Sequence, residues 1–152
     1  MQQTEALRIT AGTTASLSIL GSMFIIVSSL LFGDLFKSLA HRLIMYLSFA
    51  DLIASCSYMI RLSKLDLLKN HTGEVACKIE AYLMTTFEMS SVFWSSAICM
   101  HLLLSIMLPD WRVERIEPVY HVLSWGYPLL WSSIVLGMNR FGRASNWCWL
   151  IP

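Results

Sequence analysis

ITAGTTASLSILGSMFIIVSSLLFG, residues 9–33, holds no charged side chain between Arg8 and Asp34. About 20 consecutive apolar residues are enough to cross the hydrocarbon core of a bilayer as a helix. Lipid offers the backbone no water to bond, so a run of this length must pair its amides and carbonyls internally, as a helix does. Gly21 and the serines along the run suit close helix contacts. No basic leader precedes it and it is too long for a cleavable signal, so it is expected to act as its own insertion signal.

Outward from that run, Asp34 to His41 forms a short link into a second apolar stretch, 42–60, with Asp51 near its middle. A polar segment, Arg61 to Ala76, contains Asn70-His71-Thr72-Gly73. The third stretch, 77–108, is long and serine-rich, carries Glu88 and His101, and ends at Pro109 and the charged residues from Asp110 to Glu117. A fourth, 118–138, includes Trp125-Gly126-Tyr127-Pro128, and residues 139–152 read as a tail or an unfinished loop. The expected fold is all-α, a polytopic transmembrane bundle of four spanning helices forming one domain over residues 1–152. No internal repeat or low-complexity segment interrupts it.

Composition agrees. Of 152 residues, 56% are hydrophobic and only 14% charged, where soluble domains run near ~25% charged. Mean hydropathy is +0.59. A net charge of +1 excludes a strong nucleic-acid footprint. Six Trp and five Tyr suit side chains placed at membrane–water interfaces. The four cysteines, Cys56, Cys77, Cys99 and Cys148, lack the spacing of metal ligands, so no metal or cofactor is expected. Acids and histidines are scattered over different depths, with no nucleophile elbow and no phosphate-binding glycine loop. Catalysis is therefore not expected.

Two signals disagree about sidedness. Asn70-His71-Thr72 is an acceptor pattern for N-glycosylation, which happens on the lumenal side. Threading four spans puts Cys77 and Cys148 on that same side, where disulfides persist. Both place the N-terminus, the second loop and the tail outside. Basic residues point the other way: Arg8, Arg61, Lys64, Lys69, Lys78, Arg140 and Arg143 fall outside, against Lys37, Arg42, Arg112 and Arg115 inside. That reverses the usual inner excess of Lys and Arg. Asp66, Glu74 and Glu80 partly neutralise the outer set, or the outer cations serve an anionic ligand.

Cys77 and Cys148 are expected to form a disulfide pinning an outer loop; the competing reading is two thiols packed as small hydrophobes. Asp51 at mid-span costs about 3 kcal/mol on insertion scales unless paired or hydrated, so it is a candidate functional residue. His101 falls at a comparable depth on the third span. One expectation is an Asp51–His101 contact; the other has Asp51 held by Ser48 and Ser55 on its own helix. Glu88 precedes His101 by about 20 Å along a helix, too far to pair with it. It faces the outer half, where a ligand cavity would lie, or is a core acid satisfied by Ser90 and Ser91. Trp94 and Trp125 read as packing anchors and Pro128 as a kink residue.

Together these motifs resemble a known family. Arg42-Leu43, with Leu47-Ser48-Phe49-Ala50-Asp51-Leu52, resembles the second helix of seven-transmembrane receptors. Cys77-Lys78, followed by Ser90-Ser91-Val92-Phe93-Trp94, resembles the third helix of the secretin-like and slime-mould cyclic-AMP-receptor-like families. Trp125-Gly126-Tyr127-Pro128 is similar to their Trp-Gly-x-Pro in the fourth helix, and Cys148-Trp149 to their second outer loop. The likeness is greatest to the orphan vertebrate receptors related to cyclic-AMP receptors. There are departures. No Asp-Arg-Tyr closes the third helix, and Ile98 stands where secretin-like receptors carry Glu. A large N-terminal hormone-binding domain and spans five to seven are absent.

The resemblance implies a G-protein-coupled receptor at the plasma membrane, N-terminus extracellular, of which these are the first four helices. Its partners would be an unidentified extracellular ligand, a heterotrimeric G protein facing Arg112 and Arg115 in the inner loop, and the lipid bilayer. Four helices cannot complete the G-protein cavity, so a truncated or fragmentary receptor, or a non-signalling isoform, is implied. The competing readings are a four-span membrane scaffold and a transporter fragment using Asp51 and Glu88 as ion sites.

Overall fold

The computed structural model describes residues 2–33, 38–64, 72–108, 113–144 and 147–151. Three long helices lead: α1 (Gln2–Leu31), α2 (Leu39–Lys64) and α3 (Thr72–Met107). Within them Ile9–Leu31, Leu39–Met59 and Glu74–Met107 are long and apolar enough to cross a membrane. α2 packs against both α1 and α3, and the chain that follows α3 packs back on it.

The fourth stretch departs from the expected single helix. A 3-10 turn (Val113–Ile116) leads into α4 (Glu117–His121), a π-helical turn (Val122–Gly126) and α5 (Tyr127–Gly137). The helical backbone is continuous over 117–137, but α5 alone is about 16 Å long, well short of a bilayer core. Pro128 accounts for the break. It has no N–H to return to the carbonyl one turn back, and its ring crowds that carbonyl. The chain widens instead, and Tyr127 N–H bonds the Val122 carbonyl five residues earlier.

The helices bury a set of small polar residues and turn many of their large apolar residues outward. Ser22, Ser29, Ser48, Ser57, Ser90 and Ser132 are buried, while Leu17, Phe24, Leu30, Val92 and Ile106 are exposed. Only 17%, 22% and 17% of the three spans' most apolar windows is buried, which leaves most of that surface for lipid. Several buried hydroxyls bond to their own helix four residues back, Ser29 to Ile25, Ser48 to Ile44 and Ser90 to Thr86. Such back-bonding satisfies the hydroxyl without a partner helix, and small side chains let backbones approach. This is the packing of a multi-pass membrane protein.

Residues 139–152 are more than a tail. Asn139 takes a left-handed φ of 54°. Its N–H bonds the Leu136 carbonyl and the Arg140 N–H bonds the Val135 carbonyl, a Schellman closure of α5. β1 (Phe141–Ala144) then pairs antiparallel with β2 (Trp147–Leu150), Phe141 opposite Leu150 and Arg143 opposite Cys148. The Ile151 N–H to the Arg140 carbonyl, 2.8 Å, closes the hairpin.

Candidate functional site

At the end of the bundle where α3 begins, Cys77 and Cys148 are disulfide-bonded with their Cα atoms 5.3 Å apart. Both are buried with Ala81, Val135 and Phe141. Phe141 packs edge-on to Tyr82, ring centroids 6.5 Å apart. The Tyr82 hydroxyl lies 3.2 Å from the Ser133 hydroxyl, which ties α3 to α5 beneath the hairpin. Cys56 and Cys99 are free and exposed.

Deeper in the bundle the Ser91 hydroxyl donates to Asp51 Oδ1 at 2.5 Å, linking α3 to α2. Neither expectation for Asp51 holds. Ser48 donates to the Ile44 carbonyl instead. His101 lies ten residues, about 15 Å, beyond Ser91 along α3. The depth estimate fails because α2 starts at Leu39, three residues before the expected edge. Asp51 is thus about three turns from its helix end, while His101 is under two turns from Met107. His101 Nδ1 is buried with no hydrogen-bond partner.

Glu88 stands one turn from Ser91 on α3 and is exposed, so it is not a core acid held by Ser90 and Ser91. Its side chain borders an open cleft of about 420 Å³, lined also by Thr10, Thr14 and Ser18 of α1 and Ser55 and Tyr58 of α2.

On the far side of α3, Trp94 is fully buried at the centre of an aromatic cluster. Its ring centroid lies 5.0 Å from Tyr46, 5.1 Å from His121 and 5.7 Å from Trp125. Tyr46 and His121 meet edge to face at 4.6 Å, and Phe49 and Phe87 close on Trp125. The π-helical turn carries Trp125 into this cluster, and Pro128 is buried one turn on. Edge-to-face contacts contribute about 0.5–1.5 kcal/mol each beyond burial.

Where α2 and α4 begin, Arg42 Nη2 donates to Glu117 Oε2 at 2.8 Å. Nearby, His41 Nε2 lies 2.9 Å from the Ser29 hydroxyl and joins α2 to α1. Sequence reading missed this pair, though its signal was present in opposite charges opening two spans on one side. It also missed Ser91 as the partner of Asp51, and Tyr46 and His121 altogether. Arg115 is exposed on the 3-10 turn. Arg112 and Asn70 lie outside the described residues. Among the described residues no three His, Cys, Asp or Glu side chains stand together as metal ligands.

Residues 2–151 match the model of the slime mold cyclic AMP receptor. The chain belongs to that family. It is 33% identical over 145 residues to G-protein coupled receptor 157 of Homo sapiens, covering 90% of this chain and 42% of that protein. Cyclic AMP receptor-like protein A of Dictyostelium discoideum is 26% identical over 149 residues, 98% of this chain and 38% of its own length. G-protein coupled receptor 1 of Arabidopsis thaliana is 28% identical over 135 residues, 89% of this chain and 39% of its own. These relatives are receptors rather than enzymes, and the chain spans about two fifths of their length. In this chain Trp94 and Cys77 share α3, Trp94 past its middle and Cys77 near its start, where the staple ties in β2.

Proposed function

We propose that the chain supplies the first four spans of a G-protein-coupled receptor at the plasma membrane, with its N-terminus and hairpin extracellular. The observation that carries this reading is the family match over residues 2–151. The hairpin bonded to the mouth of α3 supports the orientation, because disulfides persist on the oxidising side. Residues 117–137 act as the fourth span, since the π-helical turn keeps the backbone hydrogen-bonded across about 30 Å. An outer ligand shifts the balance between two packings of the bundle. Trp94 and the Asp51–Ser91 bond are placed to couple α2, α3 and the fourth span as that happens. Arg112 and Arg115 face the G protein, whose docking cavity is completed by further helices. The receptor to which it contributes signals and does not catalyse.

The reading is tested by co-expressing this chain with the C-terminal part of human G-protein coupled receptor 157 that lies beyond the matched residues. G-protein dissociation in living cells is the readout. Signal above that of either part alone is expected; no gain over the C-terminal part by itself, with both parts at the cell surface, sinks the proposal.

A further inference from the structure

Several buried hydroxyls of the bundle return their hydrogens to their own helix, Thr86 to the Tyr82 carbonyl and Ser90 to the Thr86 carbonyl on α3. Tyr and Trp cannot do this, because each carries its polar atom at the far edge of a rigid ring. Two such atoms lie in the buried cluster shared by α2, α3 and α4. Trp94 is 0% exposed and Tyr120 5%. Among the described residues neither Trp94 Nε1 nor the Tyr120 hydroxyl has a hydrogen-bond partner. His101 Nδ1, also buried without one, stands seven residues beyond Trp94 on α3. Ala97 falls between them, about one turn from each, and shares the cluster with Trp94 and Tyr120. Its single methyl fills little of the space beside those rings.

Buried Trp and Tyr ordinarily find a partner for their polar atom. Leaving it unpaired costs its desolvation with nothing in return, and lipid supplies no acceptor. The partner has to sit inside a closed cluster, so it is small. It has to accept, because an indole N–H only donates, and it has to suit a tyrosine hydroxyl that does either. Water meets both conditions, and a buried water typically makes about three hydrogen bonds. We infer that α3 and α4 enclose an ordered water that accepts from Trp94 Nε1 and bonds the Tyr120 hydroxyl, with His101 Nδ1 continuing the polar seam toward the end of α3. Trp94 is then held to α4 by a bond that breaks and re-forms without disturbing its contacts with Tyr46 and His121. This inference goes beyond the receptor reading and holds whichever way the chain faces.

The test uses the whole chain in lipid nanodiscs with isotope-labelled tryptophan. The six indole N–H resonances are assigned by replacing the other tryptophans with phenylalanine one at a time, so that Trp94 stays in place. Cross-relaxation between water and each indole is then read in paired NOE and ROE spectra, which separate a long-lived bound water from hydrogen exchange. The Trp94 indole is expected to show the bound-water signal. Tyr120→Phe keeps the ring and removes one of the water's partners, so it should weaken that signal, shift the Trp94 resonance and lower the melting temperature. No bound-water signal at Trp94 overturns the proposal. So does a rise in melting temperature in Tyr120→Phe, because deleting a hydroxyl from a dry core relieves its desolvation cost. A Trp94 resonance and water signal unchanged in that variant also overturn it, since the two groups then share no water.

Discussion

Asp51 keeps a carboxylate at bilayer depth through one cross-helix hydrogen bond from Ser91. Removing the donor leaves the half-buried acid between helices without that partner, and a lost hydrogen bond to a charged group costs about 1.5–3 kcal/mol. Ser91→Ala is therefore expected to lower the melting temperature of the protein in nanodiscs. Asp51→Asn keeps an oxygen for Ser91 and removes the charge, so it should be neutral or stabilising; a larger loss there than in Ser91→Ala would show that the charge itself has a further partner. That Asp51 needs a polar partner was legible from its place in an apolar run. Its partner was not, because Ser91 is one of several serines on α3 and nothing in their spacing marks the one that faces α2.

At the scale of elements, the hairpin is held to α3 by Cys77–Cys148 and by Phe141 against Tyr82. A two-stranded hairpin is marginal by itself in water. The bond closes a loop with a sequence separation of 71 residues, which stabilises by about 4 kcal/mol in the chain-entropy model. Cys148→Ser should release β1–β2 before the bundle melts, with hydrogen exchange rising over 141–150 and staying low in α3. Exchange rising throughout α3 as well would mean that the staple holds the bundle and not only the hairpin. The two cysteines were legible as a pair. The strands were not, since Trp147-Cys148-Trp149-Leu150 is too short a run to declare itself and its partner, Phe141–Ala144, is just as short. The π-helical turn escaped for a related reason. Pro128 announces a disturbance, but whether a helix kinks, ends or widens is decided by what packs beside it, here Trp125 against Trp94.

Across the whole molecule, the three long helices keep apolar faces outward and bury a set of small polar residues along the seams, Ser22, Ser29, Ser48, Ser57, Thr86 and Ser90 among them. The Arg42–Glu117 pair and the disulfide lie at opposite ends of the same bundle. That polarity gives the molecule an inner and an outer end, and Asn70, outside the described residues, reports which is which. Expressed in mammalian cells, the chain should show a glycosidase-sensitive mass shift that Asn70→Gln abolishes. If no shift is seen and the second loop resists external protease, the orientation is inverted and the seven outer basic residues become inner ones.

The sequence by itself determined the solvent, the first three long helices, the family and the cysteine pair. Those properties follow from length, composition and short motifs, and lipid enforces them locally because each backbone group must bond within its own segment. Only the tertiary structure decided which side chains meet. At 3.6 residues per turn, one residue of slip turns a side chain by about 100° and moves it 1.5 Å along the helix. The position of each helix end therefore selects Ser91 over His101 for Asp51, brings Tyr46, His121 and Trp125 around Trp94, and leaves Glu88 facing a cleft. Those ends are set by contacts between segments far apart in the chain, and no single run of residues records them.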